Sequence, residues 1–236
     1  MTEHHLSVTR TARYVVVGDE AAAPDEIWFV LHGYGQLAAR FARAFAPLAE
    51  RGGAPRRLVV APEALSRFYV DVPAAASHVA AKVGAAWMTR EDREHEIADY
   101  VAYLDALAER VLAGAAGPPL VHVLGFSQGV ATAARWVARG RVRADRLTLW
   151  GGTLPDDVGR EGDAGAAAWA ERLRALPAGV TLVGGAADAL VPAESLGAEE
   201  RRLRALGVAC RVLTFQGGHE IHAPTLAELA DGAPRR

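Results

Sequence analysis

Ser127 lies in a short stretch whose residue types are typical of a catalytic serine, Gly125 to Gly129 with the sequence GFSQG. The apolar-leaning residues 120–124 predict a buried strand before it, and the alanine-rich residues 130–139 predict a helix after it. A Gly-x-Ser-x-Gly motif between a strand and a helix places the serine on a sharp, strained turn, from which its hydroxyl projects clear of the sheet. The first amides of the helix then face any negative charge that forms beside the serine. We therefore predict that Ser127 is a nucleophile.

A serine nucleophile needs a base that accepts its proton and an acid that holds this base in the correct tautomer. Asp188 and His219 follow Ser127 in the chain order Ser, Asp, His that accompanies a serine on a strand–turn–helix. Asp188 comes shortly after the predicted strand 180–184, and His219 comes shortly after the predicted strand 209–215. Because parallel strands end at one edge of a sheet, we expect all three side chains at a common rim.

Each of these two residues also has a plainer explanation by itself. Asp188 could be a helix N-cap, and His219 could be an ordinary loop histidine. Their joint occurrence in the correct order after the serine favours a catalytic triad. His222 could replace His219 as the base, but it lies where the last predicted helix begins, so we favour His219.

The segment after the predicted strand 27–31 supplies candidates for an oxyanion hole. Residues 32–36 have the sequence HGYGQ, and backbone amides at this place of the chain can stabilise the anion of a tetrahedral intermediate. We assign one donor to the amide of Tyr34 and the other to the amide of Gln128. The two glycines are also explained by a tight turn. His32 is expected to brace this loop through hydrogen bonds rather than to act as the base.

The elements that would position these residues alternate between short apolar strands and amphipathic helices. The predicted strands occupy residues 14–17, 27–31, 57–61, 120–124, 147–150, 180–184 and 209–215. The predicted helices occupy residues 37–50, 91–113, 128–139, 166–176, 193–206 and 223–229. We expect the first two strands to give an antiparallel start, followed by a mostly parallel α/β sheet with helices on both faces.

Residues 62–87 show no regular pattern and predict a long loop, which in a compact domain commonly lines a pocket. Phe68 and Trp87 in this segment and Met88 directly after it are therefore candidate substrate-binding residues, together with Leu154 in a later loop. Trp87 and Met88 are explained equally well as core residues.

Length and composition favour one α/β domain that spans residues 1–236, with 51% hydrophobic residues to cover a sheet on both faces. The net charge of −2, with arginines scattered among acidic residues, excludes the basic patch that nucleic-acid binding requires. Cys210 is the only cysteine, which excludes a disulfide framework and predicts a buried, inert thiol.

Nothing in the sequence predicts insertion into a membrane. Residues 1–7 lack the basic region and apolar core of a signal peptide, and no apolar run approaches the ~20 residues that a span needs. A soluble, cytoplasmic protein is expected. The apolar stripe of the predicted helix 91–113 could pair two subunits into a homodimer, although packing on the sheet explains the stripe as well.

The histidines outside the triad do not predict a metal site. His78, His95 and His122 have no metal-ligand spacing among them, and His95 between two glutamates is expected on a solvated helix face. We predict neither a metal ion nor an organic cofactor.

The chain resembles the phospholipase/carboxylesterase family of α/β-hydrolases, which includes the acyl-protein thioesterases. The resemblance rests on residues 31–35 (LHGYG), 125–129 (GFSQG), 149–155 (LWGGTLP), 185–192 around Asp188, and 218–219. It implies an α/β-hydrolase fold without a large cap domain, and hydrolysis of carboxyl esters or thioesters. Gln36 departs from the family pattern, where aspartate is common, and residues 63–90 do not match the usual loop.

The predicted function is therefore cleavage of a small-molecule or lipid-like ester through an acyl-enzyme intermediate on Ser127. An amidase or peptidase on the same fold is an alternative, but it would usually need a cap domain, and no insertion of that size is visible. A non-catalytic binding protein is a second alternative, although such a protein has no need of a complete triad. A lipase acting on aggregated substrate is disfavoured, because no apolar lid is evident.

Overall fold

Nine strands in the described parts of the chain form a large sheet and a separate hairpin. They are β1 Tyr14–Val17, β2 Glu26–Leu31, β3 Arg57–Pro62, β4 Ser66–Asp71, β5 Lys82–Ala86, β6 Leu120–Phe126, β7 Arg146–Trp150, β8 Val180–Gly185 and β9 Cys210–Phe215. The large sheet has the spatial order β1-β3-β2-β6-β7-β8-β9, while β4 pairs with β5. This computed structural model describes residues 1–50, 55–71, 81–115, 117–157 and 164–232, with the backbone alone at 164–167. His78, one of the histidines without metal-ligand spacing, lies outside the described residues.

Every neighbouring pair in the large sheet is parallel except the pair formed by β1 and β3. The prediction of an antiparallel start is thus right in direction, but the partner of β1 is β3 rather than the strand that follows it. All residues of β2, β3 and β6 are buried, which fits continuous apolar runs in strands covered on both faces. The mostly parallel sheet with helices around it is confirmed.

Seven helices surround this sheet in the described part of the chain. They are α1 Ala38–Phe41, α2 Ala46–Glu50, α3 Arg93–Ala113, α4 Gln128–Arg139, α5 Ala164–Arg174, α6 Ala193–Ala205 and α7 Ala223–Asp231. Buried side chains of α3, α4, α5 and α6 share one core with one face of the sheet, whereas α1, α2 and α7 share a second core with the other face. None of these helices is long and apolar enough to cross a membrane.

The predicted helix 37–50 is broken into α1, a tight 3₁₀ turn at Ala42–Phe45, and α2. Pro47 accounts for part of this break, because its ring is tolerated in the first turn of a new helix but not in the interior of a longer one. The buried Phe41 and Phe45 pack against each other, and Phe41 also lies beside Phe126. The apolar stripe of α3 packs into the core as well, through residues that include Ile97 and Leu104.

The prediction of an irregular segment at residues 62–87 is wrong, because β4 and β5 form an antiparallel hairpin there. The hairpin is attached to the loop after β2: the Gly35 amide donates to the Ala85 carbonyl at 2.9 Å, and the Ala85 amide donates to the Gln36 carbonyl at 3.1 Å. A Cβ on Gly84 would come within 2.7 Å of the Gly35 Cα, so only glycine permits this approach. The hairpin is thereby brought to the edge of the sheet where β6 ends.

Candidate active site

Ser127 occupies the turn between β6 and α4 with a strained backbone, φ 54° and ψ −120°. Positive φ is uncommon for a residue with a side chain, and such strain persists where the surrounding structure enforces it. The Ser127 amide donates to the Trp150 carbonyl of β7 at 2.9 Å, which ties the turn to the neighbouring strand. This is the geometry that the Gly-x-Ser-x-Gly motif predicts.

The two glycines of the motif are required by close backbone contacts. A Cβ on Gly129 would overlap the carbonyl oxygen of Leu31 at the end of β2, and a Cβ on Gly125 would overlap the carbonyl oxygen of Gly129. Helix α4 therefore begins directly against β2 and β6. This packing holds the first turn of α4 beside Ser127.

Asp188 and His219 meet at the same edge of the sheet, on the loops after β8 and β9. His219 Nδ1 lies 2.7 Å from Asp188 Oδ2, while Asp188 Oδ1 accepts the amides of Leu190 at 2.8 Å and Val191 at 3.0 Å. Burial opposes ionisation of Asp188, but the hydrogen bonds from His219, Val191 and Leu190 outweigh it and lower the pKa of this carboxyl group. An ionised Asp188 places the proton of a neutral His219 on Nδ1.

His219 Nε2, the nitrogen left to act as an acceptor, is buried and has no hydrogen-bond partner among the described residues. The His219 ring lies 4.8 Å from the ring of Phe126, the residue before Ser127. A Cβ on Gly151 would lie 3.1 Å from His219 Cε1, and a Cβ on Gly152 would lie 3.1 Å from the Ser127 carbonyl oxygen. The loop after β7 therefore borders the His219 ring and the Ser127 backbone, and its residues must be small to do so.

His222 lies elsewhere. Its Nδ1 is 2.9 Å from the hydroxyl of Thr225, and its ring stacks on Phe215 with the centroids 4.7 Å apart. The contact with Asp188 thus distinguishes His219 from the alternative base.

The loop 32–36 adjoins Ser127. A Cβ on Gly33 would lie 3.0 Å from Ser127 Cβ, and the Gly33 amide donates to Gln36 Oε1 at 2.8 Å. Gln36, the departure from the family pattern, thus closes this turn with its side-chain carbonyl. Within the described residues, no hydrogen bond joins the amide of Tyr34 or Gln128 to a loop or turn carbonyl.

His32 holds this loop through two hydrogen bonds of its ring. Its Nε2 accepts the Ala64 amide at 3.1 Å, so Nδ1 carries the proton and donates to the Gly33 carbonyl at 2.8 Å. Burial lowers the pKa of His32 below its ordinary value, which keeps the ring neutral in this role. The Trp87 indole donates to the His32 carbonyl at 2.8 Å and supports it from the other side.

The predicted substrate-binding residues are dispersed. Trp87 and Leu154 are 2% and 4% exposed and belong to the core, and Met88 is half-buried. The Gln128 side chain holds this region, since its Oε1 accepts the Trp87 amide at 3.0 Å and its Nε2 donates to the Met88 carbonyl at 2.8 Å. Phe68 is half-buried, and its ring lies 5.0 Å from that of the exposed Tyr34.

A cavity of about 400 Å³ opens beside His219, and sequence reasoning missed most of its lining. Its apolar walls come from the start of α1, from β5, from the end of β6 and from the loop after β9, through Leu37, Phe41, Val83, Phe126 and Ile221. Apart from Phe126, these residues lie outside the sequence motifs, and Val83 reaches the cavity because the hairpin is attached to the loop after β2. Their apolar character could have been recognised, but not their common location.

The loop after β7 is anchored by Asp157. Arg135 donates to Asp157 at 2.7 Å, Arg139 donates to it at 2.8 Å, and Arg93 lies 2.7 Å from it. Burial opposes ionisation of Asp157, but these cations lower its pKa to about 2. The Gly151–Gly152 segment is thus fixed to α3 and α4 at its far end.

Among the described residues, one group of side chains of metal-ligating type lies close enough together to share an ion, namely His5, Asp92 and His95 on the exposed surface. Asp92 Oδ1 lies 2.6 Å from His95 Nδ1 and 3.3 Å from His5 Nε2, and the two rings stack at 4.1 Å with an angle of 24°. Nitrogen lone pairs lie in the ring planes, so nearly parallel rings do not converge on one ion. The arrangement is that of an ion-paired stack on a solvated helix start.

No family model matches the chain, and no curated protein matches its sequence. Solved structures do resemble it. Esterase PE8 superposes with a TM-score of 0.63 at 21% identity, covering 94% of this chain and 97% of that chain. Acyl-protein thioesterase 2 of Zea mays gives a TM-score of 0.64 at 21% identity, with the same coverage of 94% and 97%. A phospholipase/carboxylesterase from Dyadobacter fermentans gives 0.61 at 16% identity, covering 96% and 98%. The chain has the α/β-hydrolase fold, and its described residues include no large cap domain.

Proposed function

We propose that the protein is a serine hydrolase that cleaves carboxyl esters or thioesters through a Ser127–His219–Asp188 triad and an acyl-enzyme intermediate. The observation that carries this proposal is the state of His219: its Nδ1 is bound to Asp188 at 2.7 Å, and its buried Nε2 is unpaired in the described structure. A base oriented in this way beside a serine on a strained strand–turn–helix is the arrangement that activates a hydroxyl.

In the first half of the reaction, His219 Nε2 accepts the Ser127 proton as Oγ forms a bond to the substrate carbonyl carbon. The carbonyl oxygen becomes an oxyanion, which the amides of Tyr34 and Gln128 stabilise. The intermediate collapses, the bond to the alcohol or thiol breaks, and the leaving atom takes the proton from His219. An acyl group remains on Ser127 Oγ.

In the second half, a water molecule gives a proton to His219 Nε2 and adds to the acyl carbon. The same two amides stabilise the second oxyanion. Collapse releases the acid and returns the proton from His219 to Ser127 Oγ. Asp188 stabilises the imidazolium in both halves and stays ionised, because its pKa is lowered.

The structural neighbours support the choice of substrate class. These neighbours are an esterase, an acyl-protein thioesterase and a phospholipase/carboxylesterase. Small-molecule esters are therefore the first substrates to examine.

The test combines labelling and turnover. A fluorophosphonate should label the wild-type protein at Ser127 with loss of fluoride, and p-nitrophenyl acetate, butyrate and octanoate should be hydrolysed. Ser127→Ala and His219→Gln should each lose about 10⁴-fold in kcat, because members of a triad act as a unit.

Matched controls exist for both variants. Ser195 is half-buried like Ser127, and His222 is the neighbouring histidine without a carboxylate contact, so Ser195→Ala and His222→Gln should keep labelling and turnover. A folded wild-type protein that neither labels nor hydrolyses any ester would refute the proposal and favour a binding role. Turnover of amides in preference to esters would favour an amidase.

A further inference from the structure

The cavity beside His219 combines an apolar interior with positive charge. Phe41, Phe126 and Ile221 contribute apolar walls, whereas Arg40 of α1 and Lys82 at the start of β5 contribute the two cations of its described lining. The two cations lie on different elements and are both exposed. Lys82 is the only lysine of the chain.

Neither cation forms an ion pair with a carboxylate of the described structure. The ion pairs found there engage arginines such as Arg13, Arg57 and Arg135, and none of them includes Arg40 or Lys82. Asp71 lies opposite Lys82 in the hairpin register, but no ion pair joins them. Their charge is therefore available to a ligand.

Glu220 is the one acidic residue of the described lining. Its Oε1 lies 2.8 Å from the position that a Cβ on Gly217 would take, so its carboxylate is folded against its own loop. It forms no ion pair with Arg40 or Lys82 in the described structure. The lining thus carries two cations against one anion that is turned toward Gly217.

We propose that this cavity binds an ester whose chain ends in a carboxylate, with the methylene groups against Phe41 and Phe126 and the carboxylate at Arg40 and Lys82. This inference rests on the proposed hydrolase function and names its substrate class. A guanidinium offers a carboxylate two parallel donors, and an ammonium adds a point charge. Because both cations are partly solvated, each should contribute about fivefold to kcat/KM, which is the upper range for exposed ion pairs.

The experiment compares two esters that share a leaving group and chain length, p-nitrophenyl hexanoate and mono-p-nitrophenyl adipate. The adipate carboxylate is too distant from the carbonyl to form a five- or six-membered anhydride, so spontaneous hydrolysis stays low. The wild-type protein should prefer adipate by about 10- to 25-fold in kcat/KM, and the preference should shrink as NaCl increases.

Arg40→Gln and Lys82→Gln should each lower the adipate-to-hexanoate ratio about three- to fivefold, and the double variant should bring it near one. Arg43→Gln is the matched control, because Arg43 is an exposed arginine three residues along the chain that does not line the cavity. Glu220→Gln should raise the ratio. A second pair consists of two phenyl acetates whose leaving phenol carries either a propionate or an ethyl group. This pair determines whether the substrate carries its carboxylate on the acyl part or on the alcohol part.

The outcomes separate the two proposals. Hydrolysis of hexanoate without any preference for a carboxylate in either pair, or equal ratios in all variants, would overturn the substrate assignment and leave the hydrolase intact. No hydrolysis of either ester by the folded protein would instead refute the proposed function, and the substrate assignment with it.

Discussion

The sharpest consequence of the geometry concerns Asp188→Asn. Asp188 Oδ1 accepts two backbone amides, from Leu190 and Val191, while Oδ2 faces His219 Nδ1. An asparagine must keep its carbonyl oxygen toward the two amides, because its NH₂ group cannot accept them. The NH₂ group then faces His219 and donates to Nδ1.

This reversal has a definite cost. With Nδ1 as an acceptor, the neutral His219 carries its proton on Nε2, the nitrogen that should receive the Ser127 proton. The base is then in the wrong tautomer, and the imidazolium loses its counter-charge. In an analogous triad such a change costs about 10⁴-fold in kcat, which corresponds to about 5 kcal/mol of activation free energy.

The assay measures kcat for p-nitrophenyl butyrate together with the tautomer of His219. Nitrogen-15 NMR of the imidazole should show the proton on Nδ1 in the wild type and on Nε2 in Asp188→Asn. The free energy of unfolding at pH 7 should change little, because the two amides remain satisfied. A folded Asp188→Asn protein with more than about a tenth of wild-type kcat would refute this account of the triad.

Three further predictions concern the surroundings of the site. Asp157→Asn should lower the free energy of unfolding at pH 7 by about 1–3 kcal/mol in urea titrations, because Arg135 is 4% exposed and would lose its carboxylate partner. Since the folded pKa of Asp157 is about 2 and its ordinary value is 3.8, this contribution is present above pH 4 and is lost as the pH falls through about 2, so the deficit of the variant should shrink at pH 2. Gln128→Glu removes the donor to the loop that carries Met88 and should lower kcat/KM about 10-fold while labelling of the serine persists, and an unchanged kcat/KM would count against this role. The hydrogen bond to Asp92 raises the pKa of His95. This contact therefore stabilises the folded state below the unfolded pKa of histidine, and the stabilisation is lost as the pH rises through the folded pKa. In a proton NMR titration, the midpoint of His95 should shift to lower pH in Asp92→Asn.

The elements that carry the candidate catalytic residues could be predicted from the sequence because their physical requirements are local. The strand, the strained serine and the helix follow one another within residues 120–139, and helix α4 spans Gln128–Arg139 as predicted. The loops that carry Asp188 and His219 also follow predicted strands. Because the carboxyl ends of parallel strands share one edge, chain order alone brings these side chains to a common rim.

The surroundings of the triad could not be derived in this way, because they depend on contacts between residues distant in the chain. The small residues of β5 give no clear strand pattern in the sequence. The position of β5 depends on the close approach of Gly84 to Gly35, which hydrophobic periodicity does not predict. The same is true of β1, whose partner is β3.

The sequence by itself therefore determined the fold class, the candidate triad and the strands after which its three residues lie. Tertiary structure decided which apolar side chains are core and which are wall. Trp87 is buried and donates a hydrogen bond to the His32 carbonyl, whereas Phe41 and Val83 line the cavity. The physical reason is that hydrophobic burial is non-directional: composition predicts that these residues leave water, but only packing determines what each one contacts.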